Sequence, residues 1–130
     1  MEISEIISKL DLSQMTTMLL ALFKHWSTTP SEQLILLGLP ENDIHLLECL
    51  HRGHSIPDDA GTLMRAEHLL TIHAMLRGLF PRNLDLVHDW PRRSNLAFDK
   101  RPPIEVMMEG MPGILQVRHY LAGQFAGQYA

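Results

Sequence analysis

The chain has 130 residues, of which 45% are hydrophobic and 20% are charged, a composition typical of a globular protein rather than a disordered one. Its apolar runs fall short of the ~20 residues that a membrane-spanning helix requires, and its single cysteine, Cys49, excludes an internal disulfide framework. Residues 1–5 are acidic where a signal peptide would be basic. We therefore expect a cytoplasmic protein with no membrane partner, built as one domain or as two small ones sharing a core.

The net charge of −4 is distributed unevenly along the chain. Residues 1–63 carry three basic and nine acidic side chains, a balance of −6, whereas residues 64–130 carry eight basic and six acidic ones, a balance of +2. Surfaces that bind DNA usually carry an excess of Lys and Arg. The acidic N-terminal half therefore argues against strong DNA binding without a partner.

The spacing of apolar residues predicts an all-α fold, because alternating runs rich in Val, Ile and Thr are absent. Capping residues, glycines and prolines set the limits of the helices, with Pro103 and Pro112 in first turns. The predicted helices span residues 13–26, 32–37, 41–52, 58 or 59–80, 84–90, 103–108 and 112–122. Ile44, Leu47 and Leu50 are predicted to face inward. We place the domain boundary between residues 57 and 58.

Residues 22–53 read as helix, short helix, turn and helix, the order found in a helix-turn-helix. The outward positions of the last helix include Glu41, Asp43 and Glu48, although contact with phosphates and guanines calls for cations. The candidate DNA contacts are Gln33, Asn42, His45 and Arg52. The alternative is a helical hairpin that only completes a core.

Sequence motifs for metal binding or catalysis are missing. His45 and Cys49 are four residues apart and share a helix face, but a structural zinc site needs four ligands in recognisable pairs. No stretch matches a phosphate-binding loop, a dinucleotide-binding motif, a zinc-protease motif or a nucleophile elbow. We therefore expect no metal, no cofactor and no enzymatic activity.

The C-terminal half contains an ordered series of large apolar and turn residues. Trp90 ends a helix before Pro91, Asn95 is suited to capping a turn, and Phe98 is expected to return its ring towards Trp90. The simplest interpretation is that Trp90 and Phe98 anchor a small core. The full order comprises Leu79-Phe80, Trp90, Asn95 with Phe98, a helix opened by Pro103, Gly113, and finally Val117-Arg118-His119-Tyr120-Leu121.

Over about residues 65–123 this order resembles the toxin-binding domain of the Xre/MbcA/ParS antitoxin family. The resemblance implies an Xre-like helix-turn-helix in the N-terminal half and a helical toxin-binding C-terminal half. It also implies a RES-domain toxin, which consumes NAD⁺, as the partner. Two positions depart from the family pattern, since Asp99 stands where Gly is common and Pro102 where Thr or Ser often occurs.

The resemblance implies an antitoxin of a type II toxin–antitoxin system that covers the toxin's active site with its last helix and tail. The implied toxin-binding residues are Trp90, Arg92, Arg93, Asn95, Phe98, Arg118, Tyr120, Leu121, Gln124 and Phe125. In the tail, residues 123–130, small residues with two aromatics suit insertion into a cleft, and a frayed terminus is the alternative. Antitoxins of this family commonly repress their own operon. Because the acidic N-terminal half would need dimerisation or the toxin to bind DNA, we expect a homodimer. The alternative function is a stand-alone helix-turn-helix regulator of transcription.

Overall fold

A computed structural model describes residues 2–128, apart from the side chain of Gln128. This part of the chain is all-α, as the sequence predicts, and contains two short 3-10 helices, Trp90–Arg92 and Leu96–Phe98. The α-helices are α1 (Ile3–Ser8), α2 (Leu12–His25), α3 (Pro30–Leu36), α4 (Ile44–His51), α5 (Ala60–Leu79), α6 (Leu84–Asp89), α7 (Pro103–Met107) and α8 (Met111–Gln128). Among the described residues, no helix is both long and apolar enough to cross a bilayer.

Helix α5 is the central element of the fold, and α1, α2, α6 and α8 all pack against it. Its 20 residues give it a length of roughly 30 Å, enough to contact both halves of the chain. Residues from both sides of position 57 contribute to one hydrophobic core, including Trp26 and Leu34 from the first half and Leu69, Ile114 and Val117 from the second. The predicted boundary at residues 57 and 58 therefore lies within a shared core, and a division into two domains stays a prediction.

Helices α2, α3 and α5 begin directly after a residue whose side chain caps the first turn. Asp11 opens α2 by accepting from the Gln14 backbone N–H at 2.7 Å, while the Gln14 side chain accepts from the Asp11 N–H at 3.0 Å. Thr29 and Glu32 form the same reciprocal pair at α3. Asp59 caps α5 by accepting from the backbone N–H of Thr62, as predicted. The start of α2 was predicted too late in the chain because Ser13, two residues after the actual cap Asp11, was taken as the capping residue.

Other helix limits differ from the predictions. Helix α1 was not predicted, and α4 begins only at Ile44 because Asp43 caps it. Ile44, predicted to face inward, is 44% exposed because it stands at the first position of α4, whereas Leu47 and Leu50 are buried as predicted. Helix α8 continues to Gln128, six residues beyond the predicted end at residue 122. The glycines of the tail thus lie within a helix.

Candidate functional site

Three aromatic rings connect the last helix to the segment that precedes α7. Trp90 and Phe98 are buried, as predicted, and Tyr120 of α8 lies half-buried between them. The Tyr120 ring is nearly parallel to Trp90, with centroids 6.4 Å apart, and meets Phe98 edge-on at 5.3 Å. Phe98 and Trp90 therefore both pack against the ring of Tyr120. Leu121, the next residue, is fully buried and fixes α8 to the core.

Residues 94–101, here called the 94–101 loop, are closed by hydrogen bonds at their base. The Lys100 N–H donates to the Asn95 carbonyl at 2.9 Å, and the Ser94 hydroxyl donates to the Lys100 carbonyl at 2.6 Å. The Asn95 side chain accepts from the Ala97 N–H at 2.9 Å, which is the capping role predicted for it. Because Phe98 packs on Tyr120, the loop is held both at its base and underneath.

The loop contains two successive residues with left-handed backbone. Asp99 has a φ of 55° and Lys100 a φ of 65°, a region where glycine carries no steric penalty. Asp is among the residues that tolerate this conformation best because its short side chain can hydrogen-bond locally. The departure from the family pattern at Asp99 therefore keeps the turn that a glycine would make, at a modest energetic cost.

The contact between α7 and α8 depends on Gly113. A Cβ atom at this position would overlap the carbonyl oxygen of Val106, which is backbone and cannot rotate away. Gly110, just before α8, has a φ of +125° and makes the turn between the two helices. Gly110 therefore makes the turn between α7 and α8, whereas Gly113 is needed for the close packing of the two helices.

Arg92 and Arg93, predicted as a pair of toxin contacts, have different environments. The Arg92 guanidinium donates to the carbonyls of Trp26 at 2.9 Å and Ser27 at 2.8 Å, and its Nη2 lies 2.7 Å from Glu32 Oε1. Hydrogen bonding from Arg92 also holds the pKa of the Glu32 carboxyl below its usual range. Arg93 is exposed and makes no side-chain hydrogen bond or ion pair with the described residues. Arg92 therefore connects the two halves of the chain, while Arg93 points to solvent.

The remaining predicted contacts lie along α8. Arg118 is 3.5 Å from a carboxylate oxygen of Glu67 and donates to Nδ1 of His68. Its charge is therefore already paired with residues of α5. Gln124 is exposed. Phe125 is half-buried, and its ring fills the space that a side chain at Gly78 of α5 would need. The tail that was predicted to insert into a cleft is helical as far as Gln128. Residues 129–130 lie outside the described part of the chain.

The structure separates the four predicted DNA contacts. Gln33 is only 9% exposed, and its Nε2 donates to the Thr28 carbonyl at 3.3 Å. Asn42 and His45 are exposed at the start of α4, whereas Arg52 is exposed at its other end. His45 also lies 3.8 Å from Cys49, the shared face that the spacing predicts. Within residues 2–128, no group of three or more potential ligands comes together in a metal-binding arrangement.

A cluster of three histidines was missed by the sequence analysis. His25 of α2 stacks on His88 of α6 with ring centroids 4.0 Å apart, and His73 of α5 lies 6.2 Å from His25. Burial lowers the pKa of His73 to about 4, with Arg77 adding to the effect, and the buried Nδ1 of His73 has no hydrogen-bond partner. Burial also lowers the pKa of His25. Each ring comes from a different helix, so no local spacing could have revealed the cluster.

Fold and site together define a small all-α protein whose C-terminal half presents an aromatic cluster and a hydrogen-bonded loop. Residues 75–127 match the model of the family described as "Antitoxin Xre/MbcA/ParS C-terminal toxin-binding domain". This segment contains the aromatic cluster, the 94–101 loop and all of the predicted toxin contacts. The match confirms the family resemblance of the C-terminal half. The comparisons with curated proteins and with solved structures found no match.

Proposed function

We propose that this protein is the antitoxin of a type II toxin–antitoxin system and that it neutralises a RES-type, NAD⁺-consuming toxin. The observation that carries the proposal is the match of residues 75–127 to the toxin-binding domain of an antitoxin family. The role is non-enzymatic: the protein acts by binding, and the end of α8 covers the entrance to the toxin's active site. Exposed Gln124, close to the end of the described helix, suits such a contact.

The burial pattern indicates which residues can touch a toxin directly. Trp90, Phe98 and Leu121 are buried, so their part is to hold α8 and the 94–101 loop in position. Arg93 and Gln124 are exposed on that scaffold and are available for contact. Arg92 and Arg118 already pair within the chain and contribute mainly to stability.

The proposal is tested by co-expressing the protein with the product of the adjacent gene, followed by pull-down and measurement of cellular NAD⁺. We expect the neighbour alone to deplete NAD⁺ and the pair to form a complex that preserves it. A truncation after Ala122 tests the end of α8, because it spares the buried Val117 and Leu121, whose removal would disrupt the core. An absence of both complex and NAD⁺ protection with the full chain would refute the proposal.

As a second function, we propose that the protein homodimerises and represses its own operon through residues 22–53, with the toxin adding affinity. Exposed Asn42 and His45 at the start of α4 support this role, whereas the buried Gln33 does not. The excess of acids in residues 1–63 fits DNA binding that depends on a multivalent complex. Operator binding should fall steeply with salt. Undetectable binding at low salt, with and without toxin, would exclude both this function and the stand-alone regulator.

A further inference from the structure

Leu96 is the most exposed large hydrophobic side chain among the described residues. It is 82% exposed, and the next, Leu84, is 55% exposed. A single exposed leucine is common on protein surfaces and by itself indicates nothing. The position of Leu96 is unusual because it begins the 3-10 helix at the tip of the 94–101 loop, within the segment that matches the toxin-binding domain.

The loop fixes the backbone that carries Leu96. Its base is closed by one hydrogen bond from the Lys100 N–H to the Asn95 carbonyl and one from the Ser94 hydroxyl to the Lys100 carbonyl. The Asn95 side chain caps the turn in which Leu96 stands. Phe98 is buried beneath the same turn. Because this backbone is already ordered, docking Leu96 on a partner would not incur the entropy cost of ordering the loop, which favours tight binding. The left-handed backbone at Asp99 and Lys100 adds a local strain that the loop retains.

The surroundings of Leu96 indicate the charge of the partner. Residues 93–101 contain three cations and one acid, Asp99. Arg101 pairs with Glu105 and Glu109, whereas Arg93 and Lys100 are exposed and have no side-chain ion pair within the described residues. The two unpaired cations outnumber the single carboxylate of Asp99, which leaves an excess of positive charge beside the apolar tip. Such a surface is complementary to an apolar pocket with a carboxylate rim.

We propose that Leu96 is an anchor residue by which the 94–101 loop docks on the toxin, entering an apolar pocket with a carboxylate rim. The inference rests on the proposed function, and it adds a second contact region to the one at the end of α8. The toxin is favoured as the occupant over a second copy of the chain because the loop belongs to the toxin-binding segment and because its charge calls for acidic groups.

The test measures the affinity of purified variants for the protein encoded by the adjacent gene, by calorimetry. Leu96→Asp should weaken binding by about 100-fold or more and Leu96→Ala by about tenfold, since both remove the buried apolar area. Arg93→Glu should weaken binding by about three- to tenfold, chiefly through slower association at low salt. Leu84→Asp is the matched control, because Leu84 is exposed on α6 outside the loop. Circular dichroism and thermal unfolding establish that each variant is folded.

The outcomes distinguish the anchor from the function on which it rests. Tight binding by the wild type and by Leu84→Asp, with weak binding by Leu96→Asp, supports the anchor. Equal binding by Leu96→Asp and Leu84→Asp would overturn the anchor and leave the proposed function standing. No binding by the wild type would overturn both. A Leu96→Asp variant that keeps its toxin affinity but dissociates from dimer to monomer in sedimentation would assign the leucine to self-association and overturn the proposal.

Discussion

Arg92 and Glu32, sixty residues apart in the chain, form an ion pair with a distance of 2.7 Å between Nη2 and Oε1. Glu32 is also half of the reciprocal cap that opens α3, and Arg92 lies at the end of the 3-10 helix that begins with Trp90. The same guanidinium donates to the backbone carbonyls of Trp26 and Ser27. A residue predicted as a toxin contact therefore links the cap of an N-terminal helix to the aromatic cluster.

Replacing Arg92 should therefore destabilise the protein. We expect Arg92→Ala to lower the free energy of unfolding by about 1–2 kcal/mol, because a partly exposed ion pair contributes little while the two carbonyls lose a charged donor. Arg93→Ala is the matched control and should stay within about 0.5 kcal/mol of the wild type. Urea denaturation measures both. Equal stabilities for the two variants would show that the Arg92 network has no net effect.

Gly113 should be the least replaceable glycine of α8. Gly113→Ala should cost about 3 kcal/mol, because the added Cβ would collide with the Val106 carbonyl and force α7 and α8 apart. Gly123→Ala, in the same helix, has open space around it and should raise stability by about 0.5–1 kcal/mol. Thermal unfolding of the two variants should therefore shift in opposite directions. A neutral Gly113→Ala would mean that the helices adjust without loss.

The histidine cluster predicts that stability falls on acidification. The folded-state pKa of His73, about 4, lies below the unfolded value near 6.5, so the unfolded chain binds more protons between these pH values. The contribution of His73 to the free energy of unfolding is therefore fully present above about pH 6.5 and declines as the pH falls towards 4. The surrounding charges, Lys24 and Arg77 together with His25 and His88, are all basic and oppose protonation.

The contribution of His73 is isolated by a variant that cannot titrate. The shift corresponds to at most about 3 kcal/mol, and we expect roughly half of this because His73 remains partly in contact with water. His73→Gln should flatten the decline in the free energy of unfolding between pH 6.5 and 4, measured by denaturation at several pH values. An identical pH profile for wild type and His73→Gln would contradict the assignment.

Because α8 extends to Gln128, we predict that the tail acts as a helix and does not need to bend at its glycines. Gly123 and Gly127 lie within the helix with open space around them, so replacing both with Ala should extend the stable helix. We expect the double variant to keep its capacity to protect cellular NAD⁺ during co-expression with the toxin. Loss of protection in a variant of unchanged or higher stability would show that the chain must bend at these glycines to reach the active site.

Local features of the sequence determined most of the secondary structure. Apolar spacing, Asp59 as a cap, and the prolines that open α7 and stop α5 depend on neighbours within a few residues, which the sequence displays directly. The burial of Trp90 and Phe98 and the cap at Asn95 were likewise predictable, because large aromatics are seldom exposed and Asn hydrogen-bonds its own turn. The order of these residues also indicated the family that residues 75–127 match.

Only the tertiary structure decided which charged and polar residues are available to partners. The sequence does not distinguish Arg92 from Arg93, but helix packing places Arg92 against Glu32. Gln33 was predicted to contact a base, but its side chain donates to the Thr28 carbonyl. The clustering of His25, His73 and His88, and the exposure of Leu96, also depend on how distant segments orient around α5. Sequence spacing fixes neighbours along one helix, but contacts between helices depend on crossing angles and relative depth, which no single helix encodes.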